Sequence, residues 1–176
     1  MALTKWVVDP AHSEFKFKVR HLMITNVTGY FRKFNIEVET EDEDFKKASK
    51  ILVTADIDSI DTNNEQRDTH LKSDDFFAAD QHEQLRFEGN HFEKASEGYD
   101  LTGKLTIRDV TKEVKVNVIH TGVVQDAYGQ TKAGFTVTGK INRKDFNLTW
   151  NGVTEAGQVV ASNEIRIECE VQLTKQ

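Results

Sequence analysis

The chain has 176 residues, a single Pro and a formal net charge of −6 at pH 7. This length is most simply one domain, residues 1–176, with one continuous core. The negative charge argues against binding to nucleic acid or to anionic lipid surfaces, because such partners need a concentrated patch of Lys and Arg. The sequence has no such patch, and its acidic run at 39–47 is typical of a solvated loop between two strands.

The single cysteine excludes an internal disulfide and a cysteine-cluster zinc site. Cys169 falls in register with Ile165, Ile167, Val171 and Leu173, which is typical of a small buried apolar side chain rather than a nucleophile. The sequence has no apolar run long enough to span a bilayer, and its first residues lack the pattern of an export signal. We therefore expect a cytoplasmic location.

Apolar residues alternate with polar ones along most of the chain. This alternation predicts eight or nine strands with one face in water, as in antiparallel sheets. The strands centre, in chain order, on Trp6/Val8, Phe15/Phe17/Val19, Phe34/Ile36/Val38, Ile51/Val53/Ala55/Ile57, Leu85/Phe87, Leu101/Gly103/Leu105/Ile107, Val114/Val116/Val118, Phe135/Val137/Gly139/Ile141 and Ile165/Ile167/Cys169/Val171/Leu173. Short links between them favour a closed barrel or a sandwich, of which an eight-stranded barrel can hold one slender ligand.

One polar segment, SIDTNNEQRDTHLKSDDFF at 59–77, interrupts the strands. Thr62 followed three residues later by Glu65 predicts a capping box, and therefore a helix near residues 63–73. Leu71 is almost the only apolar residue of this helix, so amphipathic packing alone does not hold it in place. We expect it to have a specific use.

Five segments, taken together, resemble the YceI-like family of polyisoprenoid-binding proteins. They are WVVDPAHSEFKFKVRHLMITNVTGYF (6–31), SIDTNNEQRDTHLKSDDFF (59–77), LTGKLTIRDVTKEV (101–114), YGQTKAGF (128–135) and INRKDFNLTW (141–150). Each motif alone is weak, but five in register from about Trp6 to Leu173 make a specific match. The resemblance implies an all-β fold, an extended eight-stranded antiparallel barrel of the lipocalin type. It also implies a helix beside the barrel, a long isoprenoid chain inside it and no catalysis.

A polyisoprenoid has an apolar tail and a polar or pyrophosphate head, so its binder needs an apolar tunnel with a few polar groups near the mouth. We expect inward-facing residues of the predicted strands to form the tunnel wall. These residues are Phe15, Phe17, Val19, Phe34, Val53, Leu101, Leu105, Val116 and Phe135. Gly103 and Gly139 also face inward in this pattern, and each marks either a bend or a gap left for the ligand.

Arg67 and His70 lie within about one turn of the predicted helix, with Asp68 between them. This cluster could hold the head group or dock the helix on the barrel. Docking is favoured, because the acidic Asp68 and Asp74 can pair with the basic side chains of the same segment without a ligand. The next candidates for contact with the head group are Arg143 and Trp150.

We therefore expect non-catalytic binding, storage or transport of a long-chain polyisoprenoid or an isoprenoid-quinone precursor, without a metal or a cofactor. Two alternatives stay open: a small hydrolase of prenyl or other lipid esters or amides, and a ligand-free stress-response protein. For a hydrolase, Ser13, His70 and Asp68 could be named, but the sequence has no G-x-S-x-G turn. Its six histidines show no H-x-x-x-H spacing. An exposed strand edge could pair two copies as a homodimer.

Overall fold

The computed structural model describes residues 3–22, 24–148 and 161–176. These residues form one antiparallel sheet of eleven strands and one α-helix. The strands are β1 (Leu3–Val8), β2 (Glu14–His21), β3 (Thr25–Phe31), β4 (Phe34–Glu41), β5 (Asp44–Asp56), β6 (Ile60–Asp61), β7 (Gln84–Lys94), β8 (Tyr99–Ile107), β9 (Val110–Gln125), β10 (Thr131–Asn142) and β11 (Ala161–Lys175). The helix α1 (Glu65–Leu71) lies between β6 and β7.

Eight of the strands close into a barrel, in the order β1, β4, β5, β7, β8, β9, β10 and β11. The ring closes where β11 pairs with β1, with Leu173 opposite Val8. Alternation along each strand explains the closure, because one face of every strand is apolar and can turn toward a common interior. The predicted eight-stranded antiparallel barrel is confirmed, and the sandwich alternative is wrong.

The strands β1 and β2 both run along β11, one after the other. β1 pairs with residues 173–175 of β11, and β2 pairs with residues 161–170. A 3-10 turn at Pro10–His12 separates them, and its Pro has no N–H to donate to a ladder. β2 then pairs with β3, and β3 with the short β6, so these strands extend the sheet past the ring.

The two ends of the barrel differ. We call the end that carries β3, β6 and α1 the helix end. The opposite end carries the turn between β4 and β5, the link between β7 and β8, and the hairpin between β9 and β10, and we call it the hairpin end. At the helix end, Leu71, Phe76 and Phe77 pack against a buried cluster that includes Phe31 and Phe146. The helix end is therefore filled with side chains.

The helix begins at Glu65, after Asn64, whose side-chain oxygen accepts a 3.0 Å hydrogen bond from the backbone of the first turn. The capping box predicted between Thr62 and Glu65 is therefore wrong. Asn63 has φ 64° and turns the chain between Thr62 and the helix, so Thr62 lies outside the first turn. Instead, the N–H and the hydroxyl of Thr62 both donate to Asp68 Oδ1, at 2.9 and 2.5 Å.

Candidate functional site

An apolar cavity of about 320 Å³ lies inside the barrel. Seven of the ring strands and β2 contribute to its wall. Seven of the nine residues that the sequence analysis predicts as tunnel wall line this cavity. They are Phe15, Phe34, Val53, Leu101, Leu105, Val116 and Phe135.

Two predicted wall residues, Phe17 and Val19, do not line the cavity. They continue the alternation of Phe15 along β2, but β2 runs toward the helix end, where the interior is packed. The ring of Phe17 lies over Gly29, where an added Cβ would come within 2.3 Å of it. The alternation gives the face of a residue but not its height along the barrel.

The inward glycines Gly103 and Gly139 are packing positions and are not part of the cavity lining. A Cβ at Gly103 would lie 2.4 Å from the carbonyl oxygen of Glu88 and 2.5 Å from the ring of Phe87. A Cβ at Gly139 would lie 2.8 Å from the Val116 side chain. Of the two interpretations of these glycines, the gap left for a ligand is therefore wrong, because neighbouring groups already fill the space.

The helix residues Arg67 and His70 do not line the cavity either. Arg67 Nε donates to the Thr62 hydroxyl at 2.7 Å, and its Nη2 donates to the Thr62 carbonyl oxygen. The His70 ring lies 2.8 Å from the carboxylate of Asp75 and edge-on to the ring of Phe76. These contacts tie α1 to the segments on either side of it.

Arg143, the third candidate for the head group, is only 3% exposed. Its Nε donates to the carbonyl of Ser162 at 3.0 Å and its Nη1 to the carbonyl of Leu148 at 2.8 Å, so it joins two chain segments at the helix end. Burial lowers the pKa of the Arg143 guanidinium below its usual range. The remaining candidate, Trp150, lies outside the described residues.

The polar residues of the lining lie mainly at the hairpin end, and none of them was predicted from the sequence. They are Glu43, Asp44, Lys46, Tyr99 and His120, with Glu14 as a further polar residue beside the β1–β2 break. The alternation that places Leu101 and Val118 inside the barrel continues to Tyr99 on β8 and to His120 on β9. This signal could have found both of them.

Aromatic rings narrow the hairpin end of the cavity. His120 stacks on Phe135, with ring centroids 4.6 Å apart and an angle of 16° between the planes. Phe45 meets both rings edge-on, at 5.3 and 4.8 Å, and contacts the fully buried Trp6 at 4.7 Å. Phe45 therefore covers one side of the opening.

The groups named for hydrolysis are not assembled. The Ser13 hydroxyl bonds the backbone of Gln172 beside the β1–β2 break, whereas Asp68 bonds Thr62 and His70 bonds Asp75 at the helix end. The Cys169 thiol does line the cavity, but burial raises its pKa to about 12. It is therefore protonated and a poor nucleophile near neutral pH.

Within residues 3–22, 24–148 and 161–176, no group of three His, Cys, Asp or Glu side chains could hold a metal ion. In the same part of the chain, no helix combines the length and the apolar character needed to cross a membrane.

A closed antiparallel barrel around an apolar cavity is the architecture of lipocalin-like binding proteins. The chain belongs to the YceI-like family, since residues 6–173 match the model of the YceI-like domain. It is 35% identical to UPF0312 protein SA2479 of Staphylococcus aureus (strain N315) over 175 residues, or 98% of each chain.

Solved structures share the fold. The Campylobacter jejuni YCEI protein superposes with a TM-score of 0.74 at 32% identity, over 90% of this chain and 91% of that one. A polyisoprenoid binding domain from Saccharophagus degradans superposes with a TM-score of 0.66 over 97% of this chain and 98% of that one. At 13% identity, that second likeness concerns the fold alone.

Proposed function

We propose that this protein binds a long-chain polyisoprenoid or a related prenyl lipid inside the barrel, and that it stores or transports this lipid without chemical change. The observation that carries the proposal is the apolar cavity between the strands. The family supports it, as does a solved domain of the same fold that is described as polyisoprenoid-binding. These relatives favour a binding protein over an enzyme.

The composition of the wall suits a hydrocarbon tail. Apart from its polar residues, the lining consists of Phe, Ile, Leu, Val and Ala side chains with Cys169, and none of the arginines of the described chain belongs to it. Burial of each CH₂ group contributes about 0.8 kcal/mol, so a branched hydrocarbon chain gains several kcal/mol along such a wall. Part of that gain offsets the loss of freedom of the bound tail.

The height of the lining sets the length of tail that fits. Lining positions run from Tyr99 to Leu105 on β8 and from Ile167 to Leu173 on β11. Such a span of seven residues, or six residue-to-residue steps, covers about 20 Å along a strand, or about 15 Å along the axis of a barrel with tilted strands. An isoprene unit adds about four carbon–carbon bonds of ~1.5 Å, and because the chain zigzags, its length along the tail is about 5 Å. The cavity therefore encloses about three or four units of an extended tail.

The packed helix end gives the tail a direction. Because side chains fill that end, the end of the tail points toward α1, and the head group lies among the polar residues of the hairpin end. The Arg67 cluster was a candidate either for holding the head group or for docking the helix, and docking was the favoured prediction. The contacts of Arg67 and Arg143 support a docking role for both.

Extraction of the purified protein with organic solvent, followed by mass spectrometry, tests the proposal. We expect a prenyl lipid in near-stoichiometric amount, and its loss when the cavity is filled by mutation. An extract without any apolar molecule, together with failure of the stripped protein to take up prenyl lipids, would overturn the proposal.

The predicted cytoplasmic location stays a prediction, and fractionation of the producing cells checks it.

A further inference from the structure

We propose that the head group of the bound lipid is an uncharged oxygen group, a quinone carbonyl or an alcohol, held at the hairpin end by Tyr99 and His120. We further propose that the same end discriminates against a pyrophosphate. This inference rests on the proposed function, because it assigns the chemistry of the head to a tail already placed in the barrel.

Strand pairing brings the two side chains together. Tyr99 on β8 stands opposite Val118 on β9, and His120 is two residues further along β9. Both Tyr99 and His120 line the cavity, so they share its inner face. Diagonal neighbours in such a pair lie about 7–8 Å apart, a distance that one head group placed between the two side chains can bridge.

Both side chains have donors to offer. Among the described residues, neither the Tyr99 hydroxyl nor the ring nitrogens of His120 make a hydrogen bond, whereas their rings are held by apolar contacts. The Tyr99 ring meets Phe92 edge-on at 6.3 Å. A tyrosine hydroxyl and an imidazole ring N–H can each donate a hydrogen bond, and a carbonyl or hydroxyl oxygen accepts such bonds. Rings fixed by packing lose little further freedom when they bind the head.

The charges around the opening disfavour a pyrophosphate. The segment at 41–47, ahead of and within the start of β5, carries four carboxylates and two lysines. Two of these carboxylates, Glu43 and Asp44, line the cavity. Lys46 is the single cation of the described lining. Lys175 does not line the cavity, and its ammonium group is already paired with Glu43 at 2.7 Å. A pyrophosphate would face these carboxylates without the arginine fork that such groups prefer.

The first experiment removes one hydroxyl. The ligands are a quinone with about four isoprene units and the prenyl alcohol of equal length, bound to the delipidated protein. Tyr99→Phe keeps the ring and should weaken quinone binding about three- to tenfold, the contribution of one hydrogen bond. The control, Tyr128→Phe, makes the same chemical change at a side chain that is 91% exposed, and should leave binding unchanged.

The second experiment changes the charge of the opening. Wild-type protein should bind the prenyl alcohol at least tenfold more tightly than the pyrophosphate of the same tail. The double variant Glu43→Gln/Asp44→Asn should narrow this difference by binding the pyrophosphate more tightly than wild type, because two carboxylates that repel it are lost. Asp58→Asn removes a carboxylate exposed at the helix end and serves as the control.

The outcomes separate this inference from the proposed function. If the pyrophosphate binds as tightly as the alcohol, or if Tyr99→Phe and His120→Phe leave quinone binding unchanged, the head-group inference is overturned and the tail site stands. If none of the three prenyl ligands binds, the proposed function fails. A loss of thermal stability in Tyr99→Phe without a loss of quinone affinity assigns Tyr99 to packing and also overturns the inference.

Discussion

Asp9 forms an ion pair with Lys132 and a hydrogen bond with His12 on the outside of the barrel, beside the break between β1 and β2. Its Oδ2 atom accepts from Lys132 Nζ at 3.0 Å and lies 2.8 Å from the ring of His12. Lys132 is only 8% exposed and also donates to the Thr174 hydroxyl. The hydrogen bond to His12, and then the one to Lys132, hold the pKa of the Asp9 carboxyl below its usual value of 3.8.

Asp9→Asn should lower stability at neutral pH, because the buried Lys132 loses its carboxylate partner. The expected loss is about 1–3 kcal/mol, or several degrees of melting temperature. A carboxyl whose pKa is lowered by folding stabilises the protein fully above its unfolded pKa. The difference between wild type and variant should therefore be constant above pH 3.8 and shrink as the pH falls through the lowered folded value.

Melting curves from pH 3 to pH 8 check this prediction, with Asp58→Asn as a control at an exposed carboxylate without a described partner. A difference between wild type and Asp9→Asn that grows as the pH falls would contradict it.

The sequence predicts which side chains face inward but not which of them meet the cavity. Phe15 and Phe17 alternate in the same way, yet Phe15 lines the cavity and Phe17 packs over Gly29. The difference depends on how far β2 extends past the ring, which is a property of the whole sheet. Tyr99 and His120 follow the inward alternation, so the pattern predicts their inward position when polar residues are included in it.

The helix α1 is positioned by hydrogen bonds more than by apolar packing. Thr62 connects it to β6 through Asp68 and Arg67, and Leu71 adds apolar contact with the core of the helix end. The helix itself was predictable from its polar segment. Its start was not, because the positive φ of Asn63 moves Thr62 out of the capping position.

Arg67→Ala should lower the melting temperature by several degrees, since two hydrogen bonds to Thr62 are lost. It should change the binding of a prenyl alcohol and of the matching pyrophosphate by the same factor, because Arg67 does not line the cavity and meets neither ligand. Arg86→Ala, at a side chain 54% exposed, is the control. A selective loss of pyrophosphate binding in Arg67→Ala would show that the guanidinium meets the head group.

The turn between β4 and β5 carries a bulge that the alternation did not predict. Glu41 pairs with Asp44 and Thr40 with Ala48, so residues 45–47 of β5 have no partners on β4. The buried Thr40 anchors its base, accepting from Trp6 Nε1 at 3.1 Å and donating to the carbonyl of Asp42 at 2.7 Å. The bulge thereby directs Phe45 across the opening of the cavity.

Phe45→Ala should speed both uptake and release of a prenyl ligand, by about tenfold, with a smaller change in affinity. The reason is that the ring narrows the opening while contributing only one side of the wall. Stopped-flow measurement of release checks the prediction, and Lys47→Ala in the same bulge is the control. Unchanged release in Phe45→Ala would show that the ligand enters elsewhere.

At the scale of the molecule, ring closure turns the apolar faces of the strands toward one enclosed cavity. Closure also pairs both edges of the eight ring strands. A homodimer formed through a strand edge would therefore use β3 or β6 at the helix end, and scattering in solution measures its presence.

The barrel was predictable from alternation joined with the family resemblance. The filled helix end was not, since it depends on how α1 and the segment after it fold over the interior.

The central claim is that the cavity holds the tail, and a filled cavity tests it most directly. Val53 and Val137 line the cavity from β5 and β10, on opposite sides of the ring. Val53→Phe/Val137→Phe adds two rings to the interior, whereas Val124→Phe adds one at a position 63% exposed. The three proteins, including wild type, are purified from the same cells, checked for equal melting behaviour and extracted. We expect prenyl lipid with wild type and Val124→Phe and none with the filled barrel. Equal lipid in all three would contradict the claim.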